Sequence, residues 1–209
     1  MLSKVPYGTI ANYSPRGTSQ LSKDSRAVCG SVKAGNVSLL DKMIRSLQEP
    51  TAAAIANFFD DETILVPVPG SAPLREGAFS APRIICDRLL AAGFGKEIAP
   101  LLRRVTAVPK SAFAGAGNRP TIQVHYDSMA VDADLLPPTD IVLVDDVLTR
   151  GRTSYASAWR LHDAFPEATI KILAFIRTQG LIPDVAKIKD HATGEVKYIQ
   201  ATHDVDRNP

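Results

Sequence analysis

The chain has 209 residues, of which 45% are hydrophobic and 22% charged, and it carries a net charge of +2. These values fit a globular protein with one good core and room for a small appendage, and they exclude a disordered or fibrous chain. So small a net charge gives no footprint for nucleic acid, because binding depends on clustered charge, not on totals.

Residues 1–25 are polar and punctuated by Pro6, Gly8, Pro15 and Gly17, which predicts an irregular or flexible amino-terminal arm. That stretch lacks the apolar core of a signal peptide, and no run anywhere approaches a membrane span, so the chain reads as cytoplasmic with no membrane contact. Cys29 and Cys86 are the only cysteines. Far apart and without histidine at ligand spacing, they read as buried free thiols, not as a disulfide or a zinc site.

From Ser38, a plausible N-cap, the apolar positions Leu39, Leu40, Met43, Ile44 and Leu47 predict a helix over 38–48 that stops before Pro50. A short alanine-rich helix over 51–59 follows, then a strand from Thr63 to Val68. Ser80 caps a helix with Pro82 in its first turn and a stripe of Ile84, Ile85, Leu89 and Leu90 running to Gly93. Residues 98–102 read as the next strand, and 105–120, with Pro109, Gly115, Gly117 and Pro120, as a mobile loop of the kind that is more often functional than idle.

Ile141–Ala156 (IVLVDDVLTRGRTSYA) carries the strongest signal. Four apolar residues without polar alternation predict a strand buried on both faces, as in a parallel sheet, with Asp145 and Asp146 at its carboxyl end, where open α/β sheets bind ligands. The turn Thr149, Arg150, Gly151, Arg152 and Thr153 would give an oxyanion free backbone N–H groups, two hydroxyls, two cations and the start of a helix. Paired carboxylates beside such a cradle suit vicinal hydroxyls, which donate hydrogen bonds to them. A helix over 153–165, a strand over 169–176 and a short strand over 196–201 after Thr193-Gly194 complete the reading. The alternation of strands and helices is that of a parallel sheet.

The run of four apolar residues, two acids, an apolar pair and Thr-x-Gly-x-Thr resembles the phosphoribosyl-pyrophosphate (PRPP) motif of type I phosphoribosyltransferases, and most closely that of ComF-like members. Ile64–Pro69 (ILVPVP) with Leu74, Arg75, Glu76 and Gly77 is similar to that branch's pyrophosphate turn. Leu101–Arg104 and Asn118-Arg119 extend the likeness over about residues 30–178. The amino-terminal four-cysteine zinc module common in ComF-like chains is absent.

The resemblance implies a doubly wound, mostly parallel α/β sheet flanked by helices, with a phosphoribosyltransferase-like domain over 26–178 and a tail or small variable hood element over 179–209. It implies a Mg²⁺-dependent pentosyltransferase that moves phosphoribose from PRPP to a small-molecule nucleophile or base and releases pyrophosphate. Asp145 and Asp146 would meet the ribose hydroxyls and the developing positive charge, and Leu148, Thr149, Arg150, Gly151, Arg152 and Thr153 the 5-phosphate. Pro69, Gly70, Ser71 and Arg75 would take pyrophosphate, with Arg103, Arg104 and Lys110 closing over the leaving group. Mg²⁺ would arrive chelated by substrate, without a protein cage. Arg150 stands where a threonine is usual and Arg152 where a small residue is common. Thr149 occupies the position of an acidic residue in purine-specific relatives, which counts against purine salvage.

Rival readings are weaker. A helix cap explains one acid but not the loop, too little chain follows Asp146 for a receiver domain, and a Walker loop needs glycine where Asp146 stands. A PRPP- or nucleotide-binding regulator, or a DNA-uptake accessory, would keep the fold without turnover. A nucleic-acid interface built from Arg103, Arg104, Lys110, Arg150 and Arg152 lacks interleaved aromatics and ranks last. Of the four histidines, His162 reads as packed and His125, His191 and His203 as exposed. A homodimer is left open.

Overall fold

A computed structural model of the chain describes residues 2–109, 119–132, 137–180 and 182–208. In chain order the elements are β1 (Lys4–Tyr13), α1 (Gln20–Lys33), α2 (Val37–Arg45), α3 (Ala53–Ala56), β2 (Ile64–Pro67), α4 (Ala81–Ala91), β3 (Glu97–Ile98), β4 (Leu102–Arg104), α5 (Ile122–Asp127), β5 (Met129–Val131), β6 (Asp140–Leu148), α6 (Arg152–Ala164), β7 (Thr169–Thr178), β8 (Lys189–Ile199) and β9 (Asp204–Asn208). Short 3-10 turns, Ser46–Gln48 and Pro50–Ala52, join α2 to α3.

Seven strands form one sheet in the order β3-β2-β6-β7-β1-β8-β9, and β4 pairs with β5 in a separate ribbon. Neighbours from β3 to β1 are parallel, whereas β8 and β9 add on antiparallel. The molecule is an α/β protein with a mostly parallel mixed sheet. The apolar run of β6 is unbroken because both of its faces are covered. Ile141 and Leu143 pack with Tyr155, Leu161 and Ile172; Val142 and Val144 pack with Leu40, Ile44, Ile85 and Leu89. Helices α1 to α4 therefore cover one face, and α5, α6 and the small ribbon the other. No described helix is long and apolar enough to cross a membrane.

The amino-terminal arm expected at residues 1–25 is corrected: β1 is a ten-residue strand inside the sheet and α1 begins at Gln20. The residues that suggested irregularity have other uses. Pairing with β7 starts only at Tyr7, so Pro6 sits where the strand has one neighbour and an N–H is dispensable. A Cβ on Gly8 would lie 3.1 Å from the Ile55 side chain, so glycine lets α3 approach the sheet.

Asn36, not Ser38, caps α2 by accepting from the Leu39 N–H at 3.0 Å. The Ser80 cap of α4 stands as expected. The single strand expected over 98–102 is split between β3 in the main sheet and β4 in the ribbon. Within the segment expected as a tail or hood element, β8 and β9 form a hairpin that extends the main sheet past β1.

Candidate functional site

The connections place a ligand crevice. From β2 the chain passes through α4 to β3 on one side, and from β6 through α6 to β7 on the other, with the two helices on opposite faces. The β2/β6 boundary is thus a topological switch point, and the turns after both strands open at their carboxyl ends.

After Leu148, Thr149 and Arg150 are exposed, and Gly151 caps α6 with φ of 90°. Glycine is required twice over. The left-handed backbone disfavours any L side chain, and an added Cβ would lie 3.0 Å from both Val196 methyls. The unpaired N–H groups of the first α6 turn open onto a cavity of about 140 Å³ lined by Arg119, Asp145, Val147 and the loop Thr149–Ser154. Pockets that engulf drug-sized ligands start near roughly 300 Å³, so this one seats a polar end of a ligand.

The adjacent acids diverge. Asp145 lies opposite Ala174 of β7, lines the cavity, and accepts a hydrogen bond from the Ser154 hydroxyl of α6 at 2.9 Å. Asp146 does not line the cavity; its charge reaches Cys29 of α1, on the other side of the sheet. Burial first, and the neighbouring Asp146 charge second, hold the Asp145 carboxyl well above the usual carboxylate range. Such a group gains from a cation or from hydroxyl donors.

The loop arginines are already engaged. Arg152 gives Nε to Asp204 Oδ1 at 2.7 Å and Nη2 to Oδ2, and Arg150 gives Nη1 to Oδ2 at 3.2 Å. Thr153 Oγ1 lies 3.4 Å from His125 Nε2.

The other anticipated basic residues part company. Arg104, 4% exposed, gives Nε to the Gly70 carbonyl at 2.8 Å, Nη1 to the His125 carbonyl and Ser128 hydroxyl, and Nη2 to the Pro69 carbonyl. It clamps the turn after β2 to α5. Arg103 points outward and pairs with Asp132 at 2.9 Å. Lys110 lies outside the described residues. Pro69, Gly70, Ser71 and Arg75 follow β2 beside β6 but do not line the cavity, and Arg75 is exposed. Ser71 accepts from the Val108 N–H at 2.7 Å, which ties this turn to the start of the segment expected to be a loop.

Arg119, Ser154 and His125 belong to the site environment and were not anticipated there. Arg119 precedes buried Pro120, whose carbonyl accepts from Arg152 Nη1 at 3.4 Å, so it is held over the loop. Its resemblance to a family segment was the only signal. His125, expected to be exposed, is 3% exposed. Burial, with Arg104 and Arg152 nearby, pushes its pKa down to about 4. Among the described residues no group of three or more His, Cys, Asp or Glu forms a metal cage. Asp145, the acid that lines the cavity, is a hard oxygen donor that fits an ion brought mainly by phosphates.

Compared with models of known protein families the chain matches none, and no curated protein matches it either.

Proposed function

We propose that this chain is a type I phosphoribosyltransferase that binds PRPP and transfers its phosphoribosyl group to a small nucleophile, releasing pyrophosphate. The observation that carries this reading is one cavity, at the carboxyl end of a parallel strand, bordered by both a carboxylate and the first turn of a helix. A carboxylate alone would suit many polar ligands and a helix start many anions. Together, linked by the 2.9 Å hydrogen bond from the Ser154 hydroxyl to Asp145, they suit a sugar phosphate.

On this reading Asp145 accepts hydrogen bonds from ribose hydroxyls and Asp146, one residue on, serves the far side of the strand end. The Thr149–Thr153 N–H groups hold the 5-phosphate, while Arg119 adds positive charge from the opposite wall. The turn Pro69–Ser71, with Arg75, receives pyrophosphate. Arg104 is a positioning residue that fixes this turn through the Pro69 and Gly70 carbonyls. A hydrated Mg²⁺ ion would come chelated by substrate oxygens beside Asp145, and would supply charge neutralisation at the leaving group. Displacement at C1 develops positive charge on the sugar, which the Asp145 carboxylate stabilises across the ring.

Pyrophosphate release from PRPP with Mg²⁺, measured across a panel of bases and amines, tests the proposal. Release that disappears in Asp145→Asn with Asp146→Asn supports it. PRPP binding without release under any acceptor would assign the site to a regulator instead.

A further inference from the structure

Both arginines that set this loop apart are held by one carboxylate. Asp204 opens β9 directly after the Gln200–His203 turn, and receives three N–H donors, two from Arg152 and one from Arg150. Burial alone would raise its pKa, yet the bonds from Arg152 and the two guanidinium charges hold the carboxyl below its usual range, so it remains an anion. The two arginines flank Gly151 and line the cavity. Asp204 is the acid that answers them, and it comes from a hairpin more than fifty residues away in the chain.

We infer that Asp204 is a specificity-determining residue, the internal counter-ion of the anion cradle, and that a phosphate monoester seated on Thr149–Thr153 competes with it for Arg150 and Arg152. The inference rests on the reading of this loop as a phosphate cradle, but not on phosphoribosyl transfer. A guanidinium fork fits a carboxylate and a phosphate equally well in geometry, so the two anions exchange on the same donors. With Asp204 in place the cradle offers much less net positive charge than its sequence suggests. It therefore discriminates against weakly charged anions and retains those, such as a phosphate dianion, that also use the helix N–H groups.

A second consequence concerns the hairpin. Val196 of β8 packs on Gly151 while Asp204 of β9 holds the arginines, so the hairpin touches the loop at two points. By linkage, an anion that loosens the Asp204 contact is itself bound more tightly when that contact is removed.

The experiment is calorimetric titration of inorganic phosphate and of ribose 5-phosphate into the full chain and into Asp204→Asn at low ionic strength. Removal of the competing carboxylate should tighten both ligands by on the order of tenfold, the effect of one charged hydrogen bond. In the unsubstituted protein, phosphate should speed amide exchange at residues 199–205. Equal or weaker binding by Asp204→Asn overturns the inference, as does absence of phosphate binding to both proteins. Asp204→Ser repeats the measurement if the asparagine variant fails to fold by circular dichroism. Tighter phosphate binding without any pyrophosphate release from PRPP would leave the inference standing and remove phosphoribosyl transfer alone.

Discussion

Asp145 is a destabilised residue in a productive place. Because burial and the Asp146 charge disfavour its ionised form, Asp145→Asn should stabilise the ligand-free chain at pH 8, and by less as the pH falls toward the ordinary carboxylate range. If the proposed site binds PRPP, the same variant should lose the stabilisation that PRPP gives the unsubstituted chain, and thermal melts with and without PRPP read both effects. Sign matters also for His125. Its folded pKa of about 4 lies below the ordinary value of 6.5, so the unfolded chain takes up a proton first as the solution is acidified. Stability that is complete above pH 6.5 should fall between there and pH 4, by up to about 3 kcal/mol. Urea midpoints from pH 7 to 4.5 should show this slope in the native sequence and not in His125→Asn. Residue identity announced Asp145, whereas nothing local announced His125. A lone histidine without a partner at ligand spacing reads as surface, and only the packing of α5 on α6 buries it.

The loop between β6 and α6 depends on elements far away in sequence. Gly151→Ala adds backbone strain of roughly 1–2 kcal/mol and a contact with Val196 that the hairpin must yield to. A double-mutant cycle with Val196→Ala separates the two: the second substitution should recover the contact portion and leave the strain. Recovery of full stability would show that φ is unimportant there. Arg104 and Arg103 offer a parallel contrast. Arg104→Met strands the carbonyls of Gly70 and His125 and should cost about 3 kcal/mol of stability by chemical denaturation. Arg103→Ala removes only an exposed pair, so its effect should stay within about 0.5 kcal/mol by chemical denaturation. Their adjacency in LRR gives no hint of this difference. It arises because alternate residues of β4 face opposite sides, one toward solvent and one under the turn after β2.

At the scale of the molecule, the proposed site spans the β2/β6 boundary, so a ligand touching both sides should stabilise the fold more than either of its ends. PRPP with Mg²⁺ should raise the melting temperature above the shifts given by ribose 5-phosphate or pyrophosphate alone. Saturation at 100-fold over the dissociation constant corresponds to about 2.7 kcal/mol, and equal shifts for PRPP and ribose 5-phosphate would exclude the β2 turn from the site.

The sequence by itself determined the buried start of strand β6, the glycine turn and the helix that follows, because each is specified by local chemistry, apolar runs and left-handed backbone; the strand runs on past Asp145 and Asp146 to Leu148, so the two acids lie inside it and do not end it. The sequence also determined α4 through Ser80 and its stripe. Only the tertiary structure decided that Pro6 and Gly8 lie in a strand, that Asp145 and Asp146 part to different sides, and that Asp204 neutralises the loop arginines. Those outcomes depend on which strand pairs with which, and a contact between residues fifty or more positions apart leaves no periodicity in the chain to be read.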